Sequence, residues 1–128
     1  MNNQDLKDGF YFHPMVLDNI PKKSPAYCEE LFGPVFSLFK FKDGFEAVSI
    51  ANDSVYGLSA AIFTTDRKRA ERKAKMLDVG QVFINDSVAS DPGIPSGGIK
   101  DSGYGRECFK DGLLEVSNRK SIIYGAKL

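Results

Sequence analysis

VFSLFKFKDGFEAVSIANDSVYGLSAAIFTTDRKRAERKAKMLDVGQVFI, residues 35–84, alternates between apolar runs and helical patterns. Val35 to Phe41 carries Val35, Phe36, Leu38, Phe39 and Phe41 and reads as a buried strand. Asp43 then offers an N-cap, and Glu46 completes a capping box. Phe45, Val48 and Ala51 follow at helical spacing, which predicts a helix over 44–52, ended by the turn chemistry of Asn52 to Gly57. Ala60 to Thr64 is the next strand. Asp66 caps a second helix, predicted to run to Val79 with Ala70, Ala74 and Leu77 on one face, and Gly80 sits where a helix C-terminus favours positive φ. Gln81 to Ile84 is a third strand. Strand, helix, strand, helix, strand at this spacing predicts right-handed crossovers and a parallel sheet. Apolar strands with little alternation predict cover on both faces. The fold class is therefore α/β with a parallel-sheet βαβαβ core.

Working outward, Phe10 to Leu17 reads as a short strand that Pro14 confines to an edge or a late start. Pro21 to Pro25 is a turn. Downstream, Asp91 to Gly105 is a glycine-rich loop, Phe109, Leu113 and Val116 mark a third helix, and Ser121 to Tyr124 is predicted as a last strand. The 128 residues suit one domain, and an apolar fraction of 42% with 27% charged residues is ordinary for a globular chain. Seventeen basic side chains balance seventeen acidic ones, which argues against nucleic acid as a partner. No apolar run approaches the ~20 residues that cross a bilayer. The start, Met1 to Asp5, lacks a basic region followed by an apolar one, so no secretory signal is expected. Two cysteines without metal-ligand spacing suggest free thiols in a reducing cytoplasm, and one histidine, His13, leaves too few soft ligands for a zinc site.

Three segments say more than a fold class: Glu29-Glu30-Leu31-Phe32-Gly33-Pro34-Val35, Ala51-Asn52-Asp53-Ser54-Val55-Tyr56-Gly57-Leu58, and Pro95-Ser96-Gly97-Gly98-Ile99-Lys100-Asp101-Ser102-Gly103-Tyr104-Gly105-Arg106-Glu107. In this order and spacing they resemble the aldehyde dehydrogenase superfamily, from about Gly9 to Tyr124. Ala26-Tyr27 and Asn118-Arg119-Lys120 look most like the succinate-semialdehyde dehydrogenases within it. The resemblance implies the C-terminal part of a catalytic domain over 1–120, with an oligomerisation tail strand over 121–128. It implies NAD or NADP in the parent enzyme. Glu30 would hold the nicotinamide ribose, because a carboxylate accepts from two vicinal hydroxyls. Phe32 would pack near the nicotinamide ring. A solvated surface acid is the plain reading of Glu30 from composition; the surrounding motif reverses it for the parent.

The glycine-rich loop is open to two readings. A phosphate cradle needs a strand feeding directly into the loop and G-x-G-x-x-G spacing, and both are missing. The glycines are read instead as letting the chain turn and lie close to neighbouring backbone. The family usually has Phe between the proline and the two glycines, where this chain has Ser96, so a ring near the substrate tunnel would be lost. Ser90, in the preceding loop, is read either as a ligand for a substrate carboxylate or as a plain loop serine. Arg67, Lys68, Arg69, Arg72, Lys73 and Lys75 form a basic stripe, read as a solvated helix face.

The family's reaction uses a cysteine thiolate and a glutamate base, and the resemblance places both upstream of the segment seen here. Cys28 lies beside Glu29 and Glu30, which disfavour a thiolate. Cys108 lies near Arg106 and Lys110, which favour one, but beyond the last family motif. No catalytic residue is assigned. The reading expects an α/β fragment that does not turn over alone or bind NAD(P) tightly. It also expects homo-oligomers, or docking on a full-length or upstream-half aldehyde dehydrogenase chain. The alternative is a non-catalytic interaction module.

Overall fold

The computed structural model describes residues 9–126. They divide into two compact units at Ile50, inside the last turn of a helix. In the first unit, β1 (Met15–Leu17) runs parallel to β2 (Val35–Ser37), with Met15 opposite Val35 and Leu17 opposite Ser37. The ladder extends by one bond at each end: Met15 N–H donates to the Pro34 carbonyl at 2.9 Å, and Leu38 N–H to the Leu17 carbonyl at 2.8 Å. The connection carries α1 (Pro25–Cys28), whose Pro25 occupies the first helical turn, where its missing N–H costs nothing. Tyr27 meets Phe39 edge to face at 5.3 Å. Helix α2 (Gly44–Asn52) keeps its predicted bounds because its start is fixed locally. One Asp43 carboxylate oxygen accepts from Phe45 and Glu46 N–H, and Glu46 reaches back to Lys42 N–H at 2.6 Å.

The second unit holds β3 (Tyr56–Gly57), β4 (Ser59–Ile62), α3 (Arg67–Ala74), β5 (Gln81–Ile84), β6 (Ile99–Lys100) and α4 (Phe109–Glu115). β4 and β5 are parallel, with Ser59 opposite Gln81 and Ile62 opposite Ile84, and α3 crosses between them and packs on β5. The Asn85 side chain lengthens this ladder: Thr64 N–H donates to Asn85 Oδ1 at 2.7 Å and Asn85 Nδ2 donates to the Thr64 carbonyl at 2.8 Å. β3 and β6 form a short antiparallel pair.

The α/β class and the parallel strands stand, but several elements differ from the sequence reading. The described strands form three two-stranded sheets, so Val35–Ser37 is continued by β1 and not by Ala60–Thr64. The strand predicted to Phe41 ends at Ser37 because its partner is only three residues long. Helix α3 stops at Ala74 instead of Val79: Asn52 Nδ2 donates to the Met76 carbonyl at 2.8 Å, and Asp78 N–H donates to Asn52 Oδ1 at 2.9 Å. A distant carboxamide thereby supplies the partners that another helical turn would have used. Ser121 to Tyr124 is no strand, having no ladder partner among the described residues; Ile122, Ile123 and Tyr124 are at least 73% exposed. Cover on both faces is also missing. Among the described apolar side chains only Val48 and Ala70 are buried.

Candidate functional site

Glu30 and Phe32 lie between α1 and β2. Gly33 folds the chain back tightly, Val35 N–H donating to the Gly33 carbonyl at 2.7 Å, and Phe32 takes φ 42°, which a phenylalanine adopts only under local constraint. The result is outward presentation: the Phe32 ring is 92% exposed, and Glu30 is exposed, its carboxylate making no hydrogen bond to the described residues. Glu30 thus presents two carboxylate oxygens that can accept from hydroxyls, and Phe32, two residues on, an uncovered ring. Nearby, Cys28 is exposed and its thiol donates to the Lys22 carbonyl at 3.2 Å. His13 is exposed.

Ser90 and Ser96 belong to the second unit, and the structure separates their surroundings. Ser90 is exposed on the loop after β5. Ser96 is 6% exposed; its hydroxyl donates to Gln81 Oε1 at 3.2 Å, and its backbone exchanges two bonds with Glu107, at 2.8 and 2.7 Å. An open cavity of about 500 Å³ lies beside β5, lined by Val82, Phe83, Ile84, Ile94 and Pro95 with Asp86 and Asp91 among its polar groups. Ser96 packs against Gln81 and does not line this cavity.

Residues 95–107 form a bonded loop and no cradle. Lys100 Nζ donates to the Asn52 and Ser54 carbonyls at 3.2 and 3.0 Å. Gly57 N–H donates to Ser102 Oγ at 2.9 Å, and Arg106 Nη1 to the Gly98 and Gly105 carbonyls at 2.9 and 2.6 Å. A Cβ on Gly80 would stand 1.7 Å from the Gly97 carbonyl oxygen, so close backbone approach requires that glycine. The Lys100 clamp escaped the sequence reading: its φ of 55° and its distant carbonyl partners have no local signature. Cys108, half-buried at φ 63°, precedes α4 and lines a smaller cavity of about 370 Å³ with Arg106 and Glu107. Among the described residues no group of three or more His, Cys, Asp or Glu side chains could hold a metal ion.

The aldehyde dehydrogenase family model matches residues 1–122. The chain belongs to the aldehyde dehydrogenase family. It is 46% identical over 114 residues to the Escherichia coli succinate semialdehyde dehydrogenase [NAD(P)+], covering 89% of this chain and 25% of that one. Its backbone superposes on the Staphylococcus aureus betaine aldehyde dehydrogenase, solved in complex with NAD+, with a TM-score of 0.83 and 43% identity, over 90% of this chain and 23% of that one. The Streptococcus pyogenes succinic semialdehyde dehydrogenase, solved with NADP+ as the cofactor, matches at 0.85 and 37% identity, over 91% of this chain and 26% of that one. This member of the aldehyde dehydrogenase family thus spans about a quarter of the length of the curated relatives it matches.

Proposed function

We propose that this chain forms the C-terminal quarter of an NAD(P)-dependent aldehyde dehydrogenase. The parent reaction turns an aldehyde, NAD(P)+ and water into a carboxylic acid, NAD(P)H and a proton, with succinate semialdehyde the favoured substrate on the names of the relatives. The observation that carries the reading is the run Glu30–Pro34, which turns a free carboxylate and a bare aromatic ring outward from one short segment. Glu30 accepts from the ribose hydroxyls, and Phe32 packs beside the nicotinamide and keeps water from that side. The cofactor supplies the hydride acceptor. Ser96, standing where the family usually has a ring, leaves that ring out of the substrate tunnel, and Ser90 offers a hydroxyl to a substrate carboxylate.

A chain of these 128 residues alone is inactive on this reading, because neither Cys28 nor Cys108 stands where the family keeps its nucleophile. Glu30 and Phe32 alone hold the cofactor weakly: a hydrogen bond to a charged group contributes roughly 1.5–3 kcal/mol, against about 8 kcal/mol for micromolar binding. The experiment is an NAD(P) reduction assay with succinate semialdehyde, alongside calorimetry with NAD. No turnover and no micromolar binding are expected. Turnover abolished by Cys108→Ala but not by Cys28→Ala would overturn the assignment. A second reading, a non-catalytic module that self-associates or docks on a full-length subunit in the cytoplasm, is favoured by the many exposed apolar side chains.

A further inference from the structure

Helix α3 and its C-cap Lys75 concentrate positive charge in a chain that is neutral overall. Residues 67–75 hold six of the seventeen basic side chains and one of the seventeen acidic ones, so the rest of the chain carries sixteen acids against eleven bases. Ala70 is buried and Ala74 half-buried, which sets the inward side of the helix, while Arg67, Lys68, Arg69, Arg72 and Lys75 are exposed. Lys68, Arg72 and Lys75 recur at i, i+4 and i+7 and share one face, with Arg69 three residues before Arg72.

Helix stability does not account for this arrangement. Arg67, Lys68 and Arg69 stand in the first turn, at the positive end of the helix dipole, and no acidic residue stands there with them. Lys68 with Arg72, Arg69 with Arg72, and Arg72 with Lys75 are like-charge neighbours, which weaken a helix. Arg67 pairs with Glu71 at 3.4 Å. The Lys68, Arg69, Arg72 and Lys75 side chains make no hydrogen bond or ion pair with other described residues. A face whose charges repel one another and lack counter-charges is complementary to an acidic surface.

The composition of the face selects among acidic partners. Helix α3 consists of arginine, lysine, alanine and one glutamate, so it offers no aromatic ring for base stacking and no large apolar side chain to enter a bilayer. Its eight residues measure about 12 Å. A nucleic acid or an anionic membrane reaches well past that length, over a chain whose other residues are net acidic. An extended peptide of about four acidic residues, at roughly 3.3 Å each, covers the face and ends there.

We infer that the exposed face of α3, centred on Lys68 and Arg72 and flanked by Arg69 and Lys75, is a docking site for a short acidic segment of a partner protein. The Arg69 and Arg72 guanidiniums take its carboxylates in bidentate fashion, and the two lysines act as point charges. Docking at this face is independent of the activity proposed above.

The test is fluorescence anisotropy of a tetraglutamate peptide carrying a neutral dye, titrated with the whole chain. Saturable binding is expected at about 50 mM salt, weakened about tenfold or more at about 300 mM because the contact is exposed. Lys68→Glu with Arg72→Glu should weaken it about tenfold or more, whereas Lys110→Glu with Arg119→Glu, an equal change in net charge, should shift it by less than about twofold. Lys68→Gln with Arg72→Gln should also weaken it, and it removes like-charge contacts, so that loss is not a loss of the helix. Absence of saturable binding overturns the docking site, as does equal weakening by the two charge-reversed pairs. Binding of an oligothymidylate of equal charge, or of phosphatidylserine vesicles, as tight as that of the peptide assigns the face to phosphate anions and overturns the acidic segment. Salt-reversible self-association that displaces the peptide and is lost in Lys68→Glu with Arg72→Glu assigns the face to a second copy and overturns it likewise.

Discussion

The bonded loop, residues 95–107, and the segment after it, residues 109–126, sit side by side in sequence and are held in opposite ways. In the loop, backbone and side-chain polar groups find partners within the same unit: Ser96 with Glu107 and Gln81, Lys100 with two carbonyls, Arg106 with two more. In the later segment the apolar side chains find no cover. Leu113 is 68% exposed, Val116 85% and Ile123 90%. The loop's fold is specified by hydrogen bonds and close backbone approach, which the chain supplies itself. The helix and tail carry a buried-type pattern whose burying surface is absent from the described residues. Bonding is satisfied locally while packing is left open among the described residues.

Substitutions in the two regions should therefore differ. The largest effect is expected from Gly80→Ala, because the added Cβ meets backbone at 1.7 Å and no flexible side chain can yield. A loss of about 3 kcal/mol, at the upper end for overpacking, should appear in urea unfolding followed by circular dichroism. Lys100→Met removes two charge-assisted bonds while keeping the strained backbone, and should cost about 1–2 kcal/mol in the same assay. Asp66→Ala removes the cap that accepts from Arg69 N–H at 2.9 Å, and about 1 kcal/mol should be lost. Removing residues 121–126 should leave the unfolding midpoint nearly unchanged, since the tail pairs with nothing in the described chain, but should reduce self-association in sedimentation. If that deletion destabilises the chain as much as Gly80→Ala, the contrast fails.

What the sequence made legible follows the same division. Helix α2 was readable because Asp43 and Glu46 act within four residues of the bonds they make. The end of α3 was not, because its stop signal is Asn52, more than twenty residues away. The lengthening of the β4–β5 ladder by Asn85 was hidden for a related reason: a carboxamide replacing a strand residue at φ 55° leaves no periodicity behind. Glu30 and Phe32 were singled out only through the motif around them, and the structure adds their outward presentation. Ser96 was read as standing where a ring near the substrate tunnel would be lost; its burial against Gln81 depends on a contact fifteen residues away that no pattern announces.

The smallest expected effect lies in the first unit. Asp18 is held below the usual carboxylate range by a hydrogen bond from Lys40 and by the Asn19 N–H. A depressed carboxyl stabilises the fold above its unfolded pKa, and that contribution is lost as pH falls through the folded value. The pair is exposed, so salt screens it. Asp18→Asn should therefore flatten the acid limb of the stability profile only slightly, and less at high salt. A large change would mean that β1 and β2 depend on this pair more than on their ladder.

The central claim, that this chain carries bonded backbone but an unfinished core, is tested most directly by light scattering behind size exclusion. At micromolar concentration the purified chain should run as a dimer or larger assembly. A monomer with cooperative unfolding and a native near-ultraviolet spectrum would contradict it, because such a chain would have closed its core without a partner.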